Sequence, residues 1–215
     1  SPTKWHLAHV TWFFERFVLE PSGVDRYRDD FHYLFNSYYN SAGEMHPRPS
    51  RGLLSRPTLA EILDYRTQID DKVSELLLAN RVPEGTLGTL VLGLHHEKQH
   101  QELLLTDIKH VLSCNPLKPA ARNDLRQSPG VSAPAYDFTR GESGIVCVGH
   151  DGTDFCFDNE TPAHDALLHP HSIGNRLITN GEYREFIKAG AYDDPAHWLS
   201  DGWATIRKNE WCRPH

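Results

Sequence analysis

The chain has 215 residues, 39% of them hydrophobic and 24% charged, with a formal net charge of −7. That suffices for one sizeable core or two modest ones and fits neither a disordered chain nor a membrane protein. An acidic balance without any sustained lysine or arginine run excludes the basic face that nucleic-acid binding needs to displace counterions, so small molecules are the expected partners.

Residues 1 to 113 carry helical periodicities. An aromatic-rich stretch from Trp5 to Leu19 predicts the first helix, and Phe31 to Tyr39 a short second one. A longer helix is expected over Thr58 to Leu78, where Pro57-Thr58-Leu59-Ala60-Glu61 offers a threonine cap with a glutamate three residues on. The last runs from Gly85 to Leu112. Three or four helices with short connections predict an up-down bundle.

From Asn115 to Ala135 the sequence turns to Pro, Ser, Asn and Arg without period, and residues 114–140 read as a linker. A second, β-containing domain is expected over residues 141–215. It opens with short alternating runs, Gly144 to Gly149 and Asp154 to Asp158, which predict a hairpin about Asp151-Gly152. Asn180 to Ala189 predicts a helix capped by Thr179 or Asn180. The fold class is therefore α+β. Cys114, Cys147, Cys156 and Cys212 form no C-x-x-C pair, so a zinc ribbon and a thioredoxin-type motif are absent. With no signal peptide and no apolar stretch of membrane-spanning length, a cytoplasmic protein with reduced thiols is expected.

The segment that carries chemistry is His96-Glu97-Lys98-Gln99-His100. On a helix its two imidazoles stand one turn apart on one face and can grip one ion. Helical angles put Leu87, Leu90, Val91, Leu94, Leu105, Ile108 and Leu112 on one side, and the histidines nearly opposite with Leu92 and Leu103. A helix apolar on two sides is expected to be surrounded by others, with its histidines facing inward. Glu97 and Glu102 are either outer acceptors for the rings or simply solvated. A third ligand is offered by Trp5-His6-Leu7-Ala8-His9, but the spacing of His6 and His9 does not say which one faces the ion.

Five segments taken together resemble one family. They are Ser1-Pro2-Thr3-Lys4-Trp5-His6-Leu7-Ala8-His9, Phe35-Asn36-Ser37-Tyr38-Tyr39, Leu54-Ser55-Arg56-Pro57, His96 through Leu104, and Phe157-Asp158-Asn159-Glu160. In this order they resemble the iron-dependent sulfoxide synthases of ergothioneine biosynthesis, the hercynine oxygenases. The resemblance implies a DinB-like four-helix bundle followed by a formylglycine-generating-enzyme-like, C-type-lectin-related domain. Thr179-Asn180-Gly181-Glu182-Tyr183 and Trp198 to Trp203 are similar to the opening of that second domain.

The resemblance also implies Fe(II) held by His9, His96 and His100. It implies that, with dioxygen, the sulfur of cysteine or γ-glutamylcysteine is joined to the imidazole C2 of hercynine and oxidised to a sulfoxide. Gln99 resembles a residue on the hercynine side, and Tyr38 with Tyr39 resembles the aromatic pair of the cysteine-using branch, so cysteine is the expected thiol. Arg51 and Arg56 are candidates for holding a substrate carboxylate. The chain stops at Trp211-Cys212-Arg213-Pro214-His215, before the segment that supplies the family's catalytic tyrosine. The expectation is a truncated second domain with impaired turnover, and a homo-oligomer that covers its open edges. Two other readings compete: a DinB-like hydrolase or thiol transferase using the same three histidines, and a metal-binding bundle without catalysis.

Overall fold

The computed structural model describes residues 1–124 and 132–214, so residues 125–131 of the expected linker lie outside the described set. The chain divides into two compact units at residue 125.

The described part of the first unit holds α1 (Thr3–Phe14), α2 (Asp29–Phe35), α3 (Leu59–Leu78) and α4 (Glu84–Cys114). A π-helical turn over Glu15–Leu19 prolongs α1. Helix α3 starts where its capping box places it: Thr58 Oγ1 accepts from the Glu61 amide, and the Glu61 carboxylate accepts from the Thr58 amide.

Helix α1 packs against α2, α3 and α4. Nine of its twelve residues are buried, including Trp5, Ala8, Val10, Trp12, Phe13 and Phe14. A helix apolar all round belongs in the interior. Around it close Phe31 and Phe35 of α2, Ile62, Tyr65 and Ile69 of α3, and Leu90 of α4. Each large side chain so buried contributes roughly 1.5–3 kcal/mol.

Two helical expectations are corrected. Helix α2 stops at Phe35, because Asn36 turns to an extended conformation and Tyr38 adopts φ 62°, a left-handed value that no continuing helix permits. Helix α4 is not surrounded: Leu87, Leu94 and Leu105 are 51%, 51% and 63% exposed. Its buried strip runs instead through Thr86, Leu90 and Gly93. The central place belongs to α1, whose aromatics offer more apolar surface on every side.

The second unit carries β1 (Phe138–Arg140), β2 (Gly144–Val148), β3 (His164–Leu168), β4 (Ser172–Gly174), α5 (Asn180–Lys188) and α6 (Ser200–Asn209). Strands β2 and β3 pair antiparallel with Val146 opposite Ala166, and β1 pairs antiparallel with β4, Thr139 opposite Ile173. The hairpin expected about Asp151-Gly152 is corrected. The turn is there, with Asp151 Oδ1 accepting from the Thr153 amide and Gly152 at φ 83°. The returning partner of β2, however, is His164–Leu168; the expected run Asp154 to Asp158 forms no strand, and a 3-10 turn follows over Asp158–Glu160. Glu160 reaches back to accept from the Phe157 amide, a local bond that competes with strand pairing. Helix α5 opens on Thr179, capped by a second box with Glu182. No helix among the described residues is long and apolar enough to cross a membrane.

Candidate metal centre

Helices α1 and α4 approach closely at Gly93. A Cβ built there would lie 2.6 Å from Phe14 Cε1 and 3.1 Å from Phe13 Cε1, so only glycine admits this contact. The next turn of α4 brings His96, and one turn further His100, against His9 of α1. The three rings stand with centroids 5.0 Å apart for His9–His96, 4.7 Å for His9–His100 and 4.6 Å for His96–His100. One nitrogen from each lies within 4.8 Å of the others, a spacing that one ion can bridge.

Each ring is held differently. His9 is sandwiched between Trp5 and Trp12, stacked at 4.7 and 5.8 Å. Its Nδ1–H donates to the Phe35 carbonyl at 2.7 Å, which leaves Nε2 as the lone-pair nitrogen. His96 rests on Phe13 at 4.7 Å, and its buried Nδ1 has no hydrogen-bond partner. His100 meets His6, Nδ1 to Nδ1, at 2.9 Å, and His6 Nε2 lies 3.0 Å from Asp107 Oδ2. Thus the structure brings His9, His96 and His100 together and places His6 behind them.

Burial decides the protonation state. It pushes the His9 pKa down to about 2 and that of His96 to about 4; His100 falls to about 3 through burial and then the neighbouring His96 and His6. All three are neutral at pH 7, the form that ligates a metal. Three neutral imidazoles suit iron, zinc, copper or nickel. An orphaned buried nitrogen on His96 adds to the fit, since a buried polar atom without a partner is costly unless something compensates it.

The cluster floors a cavity of about 370 Å3, walled by Tyr38, Tyr39, Arg48, Arg51, Gln99 and Leu103. Arg51 is buried, and its guanidinium lies 3.6 Å above the Trp5 ring. One of its nitrogens donates to Ser37 Oγ at 2.9 Å, while Nε has no partner. Burial and then Arg48 pull its pKa down to about 10. Among the described residues no carboxylate pairs with it, and a buried cation so placed marks a site for an anion.

Of the residues proposed from sequence for substrate contact, Gln99, Tyr38, Tyr39 and Arg51 line this cavity. Arg56 lies outside it, exposed and donating to the Ser55 carbonyl. Tyr38 is 73% exposed and its hydroxyl accepts from Arg48. Tyr39 is half-buried and packs its ring on Trp12 and Phe17. Sequence reasoning passed over Arg48, Asp107 and Ser37, which also line the cavity. For Arg48 a signal existed. It stands three residues before Arg51 in a 3-10 helix, Arg48–Leu53, where such neighbours share a side.

No protein-family model matches the chain. Among curated proteins it is 29% identical over 213 residues to a hercynine oxygenase of Mycolicibacterium smegmatis. This chain is related by sequence to the hercynine oxygenases. The counterpart in Mycolicibacterium thermoresistibile is 28% identical over 211 residues and that of Mycobacterium tuberculosis 26% over 214. The matches take in 94–95% of this chain but only 44–46% of the relatives, so the chain spans about half the length of the hercynine oxygenases it matches.

Proposed function

We propose that this chain supplies the metal centre and one wall of the substrate pocket of an O2-dependent sulfoxide synthase acting on hercynine in ergothioneine biosynthesis. The observation that carries the reading is the convergence of three neutral imidazoles on the floor of a cavity with a buried arginine in its wall that has no carboxylate partner among the described residues. Similarity to hercynine oxygenases over nearly the whole chain supports the substrate class. The strands after residue 137 weigh against a hydrolase or transferase consisting of the bundle alone.

In this mechanism His9, His96 and His100 would hold Fe(II), three imidazole ligands that do not by themselves complete its coordination. Bound there, iron supplies the redox chemistry between thiol and dioxygen. The net reaction joins the sulfur of cysteine to C2 of the hercynine imidazole and places one oxygen atom on that sulfur. The other oxygen leaves as water with the hydrogens lost from C2 and the thiol, so atoms and electrons balance.

The chain's own groups orient the partners. Arg51, fixed by Trp5 and Ser37, takes the carboxylate of the thiol substrate as a bidentate pair, with Arg48 adding positive potential. Tyr38 gives the Arg48 side of the pocket a hydroxyl, and Gln99 presents an amide to the hercynine side. Leu103 and the ring of Tyr39 exclude water from the floor.

Anaerobic loading with Fe(II), followed by hercynine, cysteine and oxygen, tests the reading, with products identified by mass. A sulfoxide adduct of hercynine and cysteine is expected. Failure of both cysteine and γ-glutamylcysteine to perturb the iron spectrum, together with absence of adduct, would exclude it.

A further inference from the structure

Behind the metal site lies a chain of three side chains, and its direction is set by chemistry. Asp107 is a carboxylate and can only accept, so His6 Nε2, 3.0 Å away, carries the proton of that bond. Neutral His6 then has a lone pair on Nδ1, and the 2.9 Å contact to His100 Nδ1 is made by a proton on His100. That leaves the lone pair of His100 on Nε2. One carboxylate two turns along α4 from His100 thereby fixes the tautomers of two imidazoles in series, through a residue on the opposite helix. Asp107 also accepts from the backbone nitrogen of Ser1.

The three histidines of the cluster thus have unequal outer bonds. His9 donates to a neutral carbonyl, His96 has no partner for Nδ1, and only His100 is tied to an anion. A ligand imidazole that donates to an acceptor backed by a carboxylate is fixed in orientation and is more basic toward a metal. Burial supports the assignment: His6 is buried and Asp107 half-buried, so water competes poorly for these bonds.

We infer that His6 and Asp107 are positioning residues that lock His100 in its Nδ1–H tautomer and so raise the affinity of the three-histidine site for a divalent metal. The inference rests on the metal centre proposed above but not on its substrate.

The test uses the full chain with Co(II) as probe, its affinity read by competition with a chelator and its geometry by the visible spectrum. Histidine tautomers in the metal-free protein are read from nitrogen-15 NMR. His6→Phe keeps the buried ring, and Asp107→Ala changes a half-exposed side chain, so a folding defect in one leaves the other to decide. Each should weaken Co(II) binding about 10- to 100-fold, the usual effect of losing such an outer bond. In His6→Phe the His100 signals should leave the Nδ1–H pattern. Asp107→Asn, which can still accept from His6, should recover most of the affinity and the tautomer. Affinities within threefold of wild type for both His6→Phe and Asp107→Ala, or an unchanged His100 tautomer, would overturn the relay. Tight Co(II) binding by a chain whose Fe(II) form yields no sulfoxide would instead remove the functional reading and leave the relay intact. A wild-type chain that binds no Co(II) would end both.

Discussion

Gly93 of α4 and Phe14 of α1 are in contact so close that a single added methyl carbon would fall 2.6 Å from the ring. Alanine in a helix interior is ordinarily favoured over glycine by about 1 kcal/mol. Here the clash outweighs that gain, since the added carbon would meet the buried rings of both Phe14 and Phe13. Gly93→Ala should therefore destabilise the bundle by about 1–3 kcal/mol. It should also move His96 and His100 away from His9, weakening metal binding at least tenfold. Urea unfolding and a Co(II) titration measure the two effects, and a more stable variant with unchanged affinity would show that the glycine does not set the helix approach.

Single alanine substitutions of His9, His96 and His100 should each abolish stoichiometric metal binding. His6→Ala should keep a one-to-one complex of lower affinity, because His6 lies behind His100 and outside the cluster. Metal analysis after gel filtration distinguishes the two classes. Loss of metal in His6→Ala and its retention in His9→Ala would reverse the ligand assignment.

The metal-free protein should be acid-sensitive in a definite window. His9, His96 and His100 have pKa values pushed down to about 2, 4 and 3, from an ordinary 6.5 in the unfolded chain. The unfolded state thus binds more protons below pH 6.5, and stability falls as pH drops from there through about 4 for His96 and about 3 for His100 to about 2 for His9. Above pH 6.5 these groups contribute no slope. Thermal midpoints of the apo protein across pH 7 to 4 should fall steeply, and His9→Phe, which removes the most buried of the three, should flatten the profile. An equal slope in both proteins would count against burial as the cause.

Arg51 should govern the thiol and leave the metal alone. Arg51→Gln removes the charge facing the cavity, and no carboxylate among the described residues is paired with it, so metal affinity should stay near wild type. Binding of cysteine to the Fe(II) form should weaken on the order of tenfold or more, as expected for losing a charge-assisted bidentate pair. Titration of cysteine and γ-glutamylcysteine into the anaerobic iron protein checks this, and also which thiol binds more tightly. Unchanged cysteine affinity would place its carboxylate elsewhere.

Much of the scaffold was legible because its signals are local. Thr58 announces its helix through a glutamate three residues on, the helix after Thr179 or Asn180 through a capping residue, and His96 with His100 needs only one helical turn to form a pair. What could not be read depends on contacts between residues far apart. His6 and His100 are 94 positions apart, and nothing in the spacing of His6 and His9 says that one stacks between two tryptophans while the other bonds to a ligand. The leucines of α4 mislead for the same reason: periodicity marks Leu87, Leu94 and Leu105 as apolar, but the depth of burial is set by Gly93, where α1 comes closest. Likewise Asp151-Gly152 signals a turn and not the partner strand, which β2 finds only at His164.

Everything proposed for this chain requires that the three imidazoles of α1 and α4 bind one iron ion. Fe(II) titration of the metal-free chain under anaerobic conditions, in parallel with His9→Ala, tests it most directly. One Fe(II) per wild-type chain is expected, and none bound stoichiometrically by the variant. Equal binding by both proteins, or no stoichiometric binding by the wild type, would contradict it.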